Sequence, residues 1–194
     1  PDNPQQRLLM QAADILRRGG IIVYPTDSTY ALACHLGDKD ALARIRQIRQ
    51  LSASHLMTLI CRDLSELGQY ARVENQAFRA LKRLIPGPYT FLLKASKEVP
   101  KRLLHPKRKS VGLRVPDNKI TLGLLECLGE PLLSTSLVLP GQTDPLQDPF
   151  EIQEHLDGRV DAIIDAGWGG NERTTVIDLT EGEAMVVRQG KGVF

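Results

Sequence analysis

The stretch QQRLLMQAADILRRGGIIVYP, residues 5–25, contains the unit on which the fold prediction rests. Apolar residues recur every three or four positions over 5–18, which predicts an amphipathic helix. Gly19 and Gly20 then supply a helix stop. Residues 21–24 form a short β-branched strand, which Pro25 ends. The stretch therefore predicts a helix followed directly by a strand.

The same alternation continues along the chain. Asp38 is positioned to cap a second helix, in which Leu42, Ile45 and Ile48 recur at helical spacing. Further helices are predicted at 63–69, 74–84, 119–128 and 150–156, and further strands at 57–61, 89–94, 110–115, 131–136, 161–165, 175–179 and 184–188. Alternating elements place helices around one sheet, and the closing run of strands makes that sheet mixed. We therefore expect one α/β domain, of the mixed α+β type, over residues 1–194.

The composition of the chain argues against several classes of protein. The formal net charge of the 194 residues is only +2, so the chain as a whole lacks the charge of a typical nucleic-acid-binding protein. The three cysteines form no CxxC pair and the four histidines no HExxH motif, which argues against a metal site. No apolar run is long enough for a membrane helix, and residues 1–7 lack the apolar core of a signal peptide. These features predict a cytoplasmic protein without a bound metal or a membrane partner.

Polar residues lie near the ends of the predicted strands, where ligands of α/β proteins usually bind. The GxxxxGK[ST] nucleotide motif and the GxSxG nucleophile motif are both absent. What remains is a set of polar residues, mostly hydroxyls and arginines, without an evident acid–base pair: Thr26, Asp27, Ser28, Thr29, Arg114, Ser134, Thr135, Ser136, Thr174, Thr175 and Arg188. Such a set indicates binding of phosphate or carboxylate groups more than proton transfer. Taken singly, each serine or threonine is more often a turn residue.

Positive charge is concentrated in residues 97–109, which we call the basic segment. Its only acid is Glu98. Five of its cations are candidate RNA ligands: Lys101, Arg102, Lys107, Arg108 and Lys109. A segment of this kind either contacts the phosphates of RNA or is a solvated surface loop, and the residues alone leave both readings open.

Six blocks in order resemble one family. Pro25-Thr-Asp-Ser-Thr-Tyr-Ala-Leu32 is similar to the PTET-x-YGL motif of the threonylcarbamoyl-AMP synthase family, also called the YrdC/YciO family. The other five blocks are Pro86-Gly-Pro-Tyr-Thr90, Gly112-Leu-Arg-Val-Pro116, Glu130-Pro-Leu-Leu-Ser-Thr-Ser136, Thr174-Thr-Val-Ile-Asp178 and Arg188-Gln-Gly190. The stretches 48–51, 59–67 and 134–141 look most like the YciO branch.

The resemblance implies a fold and a reaction. The family fold has three layers, in which a twisted mixed sheet of about seven strands is flanked by helices and encloses a large, basic, concave cavity. The best-known members condense L-threonine, bicarbonate and ATP into threonylcarbamoyl-adenylate, which feeds a tRNA modification beside the anticodon. This chemistry needs positioning and charge stabilisation more than acid–base groups. ATP would bind with Mg²⁺, and no tightly bound cofactor is implied.

The resemblance also assigns roles to single residues. Thr26, Arg114 and Thr174 would bind the threonine, with Arg114 paired to its carboxylate. The residues that would face the nucleotide are Arg49, Ser134, Ser136 and Arg188.

Two departures from the family pattern concern the phosphates. The synthases carry a KxR pair and an SxN pair that together cradle the triphosphate. Here KxR becomes Arg49-Gln50-Leu51, and SxN becomes Ser134-Thr135-Ser136. A charged hydrogen bond contributes about 1.5–3 kcal/mol. Losing one in the transition state alone would slow the reaction roughly 10- to 100-fold.

The sequence therefore supports two functions, and a diverged scaffold without a ligand stays open as a third reading. The first is an attenuated threonylcarbamoyl-adenylate synthase that uses ATP, L-threonine and bicarbonate. The second is a non-catalytic module that kept the cavity and its basic rim to bind double-stranded RNA or tRNA.

Overall fold

The structure is a computed structural model that describes residues 3–194, so the first two residues of the predicted 1–194 domain lie outside it. The helices in the described part are α1 (Gln6–Arg17), α2 (Lys39–Arg49), α3 (Leu64–Tyr70), α4 (Asn75–Leu84), α5 (Lys119–Leu128) and α6 (Pro149–Leu156), with one 3₁₀ turn at Lys101–Leu103. The strands are β1 (Ile22–Tyr24), β2 (Ala31–His35), β3 (Thr58–Ile60), β4 (Tyr89–Lys94), β5 (Ser110–Arg114), β6 (Leu132–Ser136), β7 (Ala162–Ile163), β8 (Thr175–Asp178) and β9 (Met185–Arg188). Asp38 caps α2 as predicted, since its carboxylate accepts a bond from the backbone N–H of Ala41.

The strand count corrects the expectation of about seven, because the sheet has nine strands. Eight of them lie where the sequence predicted a strand. The other is β2, whose sequence Ala-Leu-Ala-Cys-His contains no β-branched residue. Its first four residues are all buried, so the apolar–polar alternation that marks a half-exposed strand is also missing.

The strand order is β7-β1-β2-β6-β3-β5-β4-β8-β9. Pairs β1–β2, β2–β6, β3–β6, β4–β5 and β8–β9 are antiparallel, whereas β1–β7, β3–β5 and β4–β8 are parallel. The sheet is therefore mixed, as predicted. Its strands come from most of the chain, so residues far apart in sequence share one face.

Helices cover the two faces of the sheet unequally. On one face, alternate strand residues such as Leu59, Phe91 and Leu113 pack with buried residues of α2, α3, α4 and α6. On the other face, a smaller cluster joins α1 and α5 to residues of β1, β2, β3 and β6. That cluster contains no described residue of β4, β5, β8 or β9. This half of the second face is left free of helices and, together with neighbouring residues of β1, β2, β3 and β6, forms the floor of a cavity.

The structure was also searched for membrane-spanning helices. Within residues 3–194, no helix is both long enough and apolar enough to cross a bilayer.

Candidate functional site

A cavity of about 320 Å³ opens over the uncovered part of the sheet. Alternate strand residues form its floor, because side chains two apart in a strand point to the same face. The strand residues with this orientation include Tyr24, Ala31, Thr58, Ile60, Thr90, Leu92, Gly112, Arg114, Ser134, Ser136, Val176 and Arg188. The sequence placed ligand groups at strand ends. The cavity instead crosses the face of the sheet, and several of its polar residues lie inside strands.

The charged residues described in the cavity lining are all basic. Five arginines contribute to it: Arg49, Arg108, Arg114, Arg173 and Arg188. His55 and His105 also line the cavity, while none of the described lining residues is an aspartate or a glutamate. A concave site with several guanidinium groups and no carboxylate in its wall favours an anionic ligand.

Arg114 lies at one end of the cavity, at the end of β5, and only 6% of it is exposed. Its Nη1 donates to Ser28 Oγ at 3.0 Å, and its Nη2 forms an ion pair with the Asp27 carboxylate. Asp27 is held in turn by the backbone N–H of Asp117, at 2.9 Å. Arg114 Nε is buried and has no hydrogen-bond partner among the described residues. This donor is therefore available to a ligand, because a buried N–H normally has an acceptor.

Burial sets the protonation of the groups around Arg114. It lowers the pKa of Arg114 to about 10, which still leaves the guanidinium charged at neutral pH. Burial raises the pKa of Tyr24 to about 12, so its phenol stays protonated. Tyr24 Oη and Ser134 Oγ are 2.6 Å apart, and Ser134 Oγ donates to the backbone carbonyl of Leu32 at 2.9 Å. With its hydrogen used there, Ser134 accepts from Tyr24 and can offer a ligand only a remaining lone pair.

Thr26 has a different place from the other predicted threonine ligands. Its Oγ1 donates to the carbonyl of Thr29 at 2.6 Å and accepts from the N–H groups of Ser28 and Thr29. It does not line the cavity, whereas Thr29 does. Thr26 thus closes the turn between β1 and β2 that carries Asp27 and Ser28 to Arg114. Its role as a direct threonine ligand stays a prediction.

The four predicted nucleotide residues all line the cavity: Arg49, Ser134, Ser136 and Arg188. Arg49 ends α2, and its Nε and Nη1 donate to Val138 O at 2.8 Å and Thr135 Oγ1 at 2.7 Å. Arg188 Nη2 donates to the carbonyl and hydroxyl oxygens of Thr174, at 2.9 and 3.2 Å. Thr174 Oγ1 also lies 2.8 Å from Thr90 Oγ1. Thr174, predicted as a threonine ligand, therefore contacts a residue predicted for the nucleotide.

The two departures from the family's KxR and SxN motifs lie in different surroundings. Ser136 lines the cavity, so a longer side chain at this position would extend into it. Leu51 is not a lining residue and packs against the larger apolar cluster. Gln50 has a left-handed backbone, with φ of 52°, which turns the chain away from α2 just before Leu51.

The basic segment meets the cavity only in part. Arg108 and His105 line the wall, and Arg108 Nη1 is 3.4 Å from Asp178 Oδ2. The other candidate RNA ligands are exposed and are not lining residues: Lys101, Arg102, Lys107 and Lys109. The segment folds back on itself, because the Nδ1 atom of His105 accepts from the backbone N–H of Arg108 at 3.1 Å.

Sequence reasoning missed several lining residues, above all Arg173 and His55. Arg173 directly precedes the Thr174 block, and this adjacency was the only available signal. His55 lies in a loop that is held by Arg46. The guanidinium of Arg46 donates hydrogen bonds to the backbone carbonyls of Ser52, Ala53 and His55. Burial lowers the pKa of His55, and the charges of Arg49 and Arg46 lower it further. The imidazole is therefore neutral at pH 7.

No group of three or more His, Cys, Asp or Glu side chains suited to a metal ion occurs within residues 3–194. The described lining has no carboxylate either, so Mg²⁺ accompanying ATP would have to be held by the phosphates themselves.

Comparison with known proteins agrees with the fold and the motif order. The family model Sua5_yciO_yrdC, described as "Telomere recombination", matches residues 14–190. The protein YciO of Escherichia coli is 58% identical over 192 residues, which are 99% of this chain and 93% of that protein. Its crystal structure superimposes with a TM-score of 0.95, covering 100% of this chain and 94% of that one.

More distant similarity extends to synthases. The threonylcarbamoyl-AMP synthase of Vibrio vulnificus is 29% identical over 185 residues, covering 94% of this chain and 98% of that protein. The crystal structure of Pyrococcus abyssi Sua5 complexed with L-threonine has a TM-score of 0.88 at 27% identity. That match covers 97% of this chain and 55% of the Pyrococcus chain, which is thus considerably longer.

Proposed function

The chain belongs to the Sua5/YciO/YrdC family, and we propose that its cavity forms threonylcarbamoyl-adenylate from L-threonine, bicarbonate and ATP at an attenuated rate. One observation carries the proposal. A single cavity combines a buried arginine, which has a free Nε donor, with four further arginines and no carboxylate among its described lining residues. An amino-acid carboxylate and a chain of phosphates are the two anions that such a site would receive together.

Arg114 is the group that we assign to the threonine carboxylate. Its Nη1 and Nη2 are engaged by Ser28 and Asp27, so the guanidinium is fixed before any ligand arrives. Its Nε remains to donate a charge-assisted hydrogen bond, which is stronger than a neutral one. The crystal structure of Pyrococcus abyssi Sua5 is complexed with L-threonine, which supports an amino-acid ligand for this chain.

The reaction itself requires little proton transfer by the protein. The threonine amine combines with bicarbonate and loses water to form a carbamate. A carbamate oxygen then bonds to the α-phosphorus of ATP, the bond from that phosphorus to the bridging oxygen breaks, and pyrophosphate leaves. Fixed arginines next to the phosphates would stabilise the charge of the transition state, which is how phosphoryl and nucleotidyl transfer are usually accelerated.

The attenuation follows from Ser136 and Leu51. Ser136 lines the cavity, but its hydroxyl is shorter than the amide of the family's SxN motif. Leu51, which replaces the second cation of KxR, packs against apolar residues. The loss of one charged contact in the transition state corresponds to a rate decrease of roughly 10- to 100-fold.

The direct test is to incubate the pure protein with Mg–ATP, L-threonine and labelled bicarbonate. We expect labelled adenylate and pyrophosphate in equal amounts, at a rate below that of a synthase such as the Vibrio protein. Reactions without threonine, or with Arg114→Ala, serve as controls and should give neither product. Pyrophosphate release that does not depend on threonine would refute the proposed reaction.

RNA binding is the second candidate, because the basic segment is exposed and adjoins the cavity through Arg108 and His105. Neutralising the exposed cations Lys101, Arg102 and Lys107 to Gln leaves these two lining residues intact. A matched control neutralises Arg72, Arg79 and Lys82, which are also exposed. If the segment binds duplex RNA, only the first variant should lower the slope of log affinity against log salt, by roughly 0.9 for each lost contact. Equal slopes for both variants would show that the segment is a solvated loop.

A further inference from the structure

The five cavity arginines divide into two classes by their partners. Arg108 and Arg114 each have a carboxylate partner, Asp178 and Asp27 respectively. The remaining three arginines have no carboxylate within 4.0 Å among residues 3–194: Arg49, Arg173 and Arg188. We call these three the unpaired cluster. Their charge is not balanced by any contact within the described protein.

Neutral oxygens hold each member of the unpaired cluster in place. Arg49 is bound to a carbonyl and a hydroxyl, and Arg188 is bound to both oxygens of Thr174. Arg173 Nη2 donates to the carbonyl of Thr143 at 3.1 Å. These bonds fix the direction of each guanidinium but leave its charge uncancelled. Donors that are fixed in advance lose less entropy when they bind a ligand.

Arg173 lies within the electrostatic field of both other members. After burial, its charge is the cause that lowers the pKa of Arg49 and that of Arg188. Like charges that line one cavity repel one another. The hydrogen bonds to neutral oxygens oppose a movement of these side chains into water, so an anion bound among the three groups would relieve the repulsion.

The backbone at Arg173 is also held in place, by contacts with the segment that follows β9. Its carbonyl accepts from the backbone N–H of Lys191 at 2.8 Å. Gly190 passes so close that an added Cβ would lie 2.3 Å from the carbonyl oxygen of Arg173 and 2.4 Å from that of Thr174. Only a glycine permits this approach, and the approach keeps the start of β8 against the segment that follows β9.

We infer that Arg173 completes, with Arg49 and Arg188, an anion subsite for the phosphate chain of a nucleoside triphosphate. Arg173 supplies there the positive charge that Leu51 does not provide. The inference rests on the proposed function for the identity of the nucleotide, while the subsite itself can be tested with an inorganic polyphosphate.

The test compares Arg173→Gln with Arg79→Gln, which removes the same charge from the exposed surface of α4. Calorimetry measures the binding of Mg–ATP, inorganic tripolyphosphate, adenosine and L-threonine. We expect Arg173→Gln to weaken ATP and tripolyphosphate by about 10- to 100-fold, the effect of one charged hydrogen bond. Adenosine and threonine should bind as they do to the wild type. Arg173→Lys keeps the positive charge but loses the planar guanidinium with its paired donors, so it should give a smaller loss of affinity for ATP and tripolyphosphate.

The outcomes separate the two proposals. If Arg173→Gln binds tripolyphosphate as tightly as Arg79→Gln does, the subsite inference is wrong, even if the protein makes the adenylate. If the variant loses tripolyphosphate while the wild type makes no adenylate, the subsite stands and the proposed reaction is wrong. An equal loss of adenosine and threonine would also overturn the inference, because it would show general damage to the cavity.

Discussion

Two regions of the cavity wall, the surroundings of Arg114 and the unpaired cluster, differ in how they hold positive charge. The Arg114 guanidinium is buried and has the Asp27 carboxylate beside it. In the unpaired cluster the guanidinium groups are more exposed and are held only by neutral oxygens. A buried charge is costly unless it is paired, whereas a charge in contact with water can stay unpaired in the folded protein. Substitutions of Arg114 should therefore affect both stability and binding, and those in the unpaired cluster should affect binding alone.

The largest effect is expected for Arg114→Ala. The substitution removes the proposed carboxylate ligand and leaves Asp27 buried without its partner, which costs about 3–5 kcal/mol when a buried pair is broken. Arg188→Gln should change the free energy of unfolding by less than about 1 kcal/mol, since no ion pair is lost. Chemical denaturation measures the free energy of unfolding, and titration with threonine measures the binding affinity. Adding Asp27→Ala to Arg114→Ala should restore part of the stability and none of the binding. Equal destabilisation by Arg114→Ala and Arg188→Gln would remove the distinction between Arg114 and the unpaired cluster.

A side chain added to the cavity floor should weaken the binding of both proposed ligands. A Cβ added to Gly112 would lie 3.5 Å from Thr58 Oγ1 and from Thr90 Cγ2, which is ordinary contact. Gly112→Ala should thus fold normally while it reduces the affinities for ATP and for threonine by about tenfold, or 1.4 kcal/mol. Gly68→Ala on α3 is the control, because nothing lies within 4 Å of a Cβ there. Unchanged affinities would place both ligands away from this floor.

A gain of function is expected for Ser136→Asn. Ser136 lines the cavity, and an amide there adds a donor that reaches further than the hydroxyl. The rate of adenylate formation should rise by up to about tenfold, the lower value for one charged contact. Leu51→Arg should add little, because Leu51 packs against the core, where a charge costs stability. A gain from Leu51→Arg and none from Ser136→Asn would reverse this assignment. The rate is measured as pyrophosphate release that depends on threonine.

The smallest effect concerns His55 and pH. Because its pKa is lowered in the folded protein, the unfolded chain binds the proton more readily. The folded state should therefore lose stability as the pH falls below about 6.5, the ordinary value for histidine. His55→Gln should lose less stability than the wild type between pH 7 and pH 5, as measured by urea denaturation at each pH. Identical pH profiles would show that His55 makes no such contribution.

The sequence predicted the helices and strand β5 better than the rest. Helix periodicity, the Asp38 cap and the alternation in β5 are local patterns that the final packing keeps. The strand β2 was missed because burial on both sides removes the alternation that identifies a strand. Its place in the sheet is determined by its partners β1 and β6, the latter from residues about a hundred positions away.

The unpaired cluster was predicted only in part for a related reason. Arg173 lies outside the regular elements, and its orientation depends on Thr143 and Lys191, which are distant or lie later in the chain. The periodic pattern of apolar residues in a sequence carries no information about such a contact. The same holds for Thr26, whose hydroxyl was assigned to a ligand by resemblance and is used in the turn itself.

The floor of the cavity also constrains how this family can change over time. Floor residues of the inner strands alternate with residues of the larger core, for example Arg114 with Leu113 and Thr90 with Phe91. Exchanging such a floor side chain leaves the larger core untouched, so ligand preference can drift by single substitutions. Inserting or deleting one residue in a strand would instead turn its core side chains toward the ligand and its polar ones into the core. Such proteins can therefore diversify in residue identity, while the lengths of their strands stay fixed.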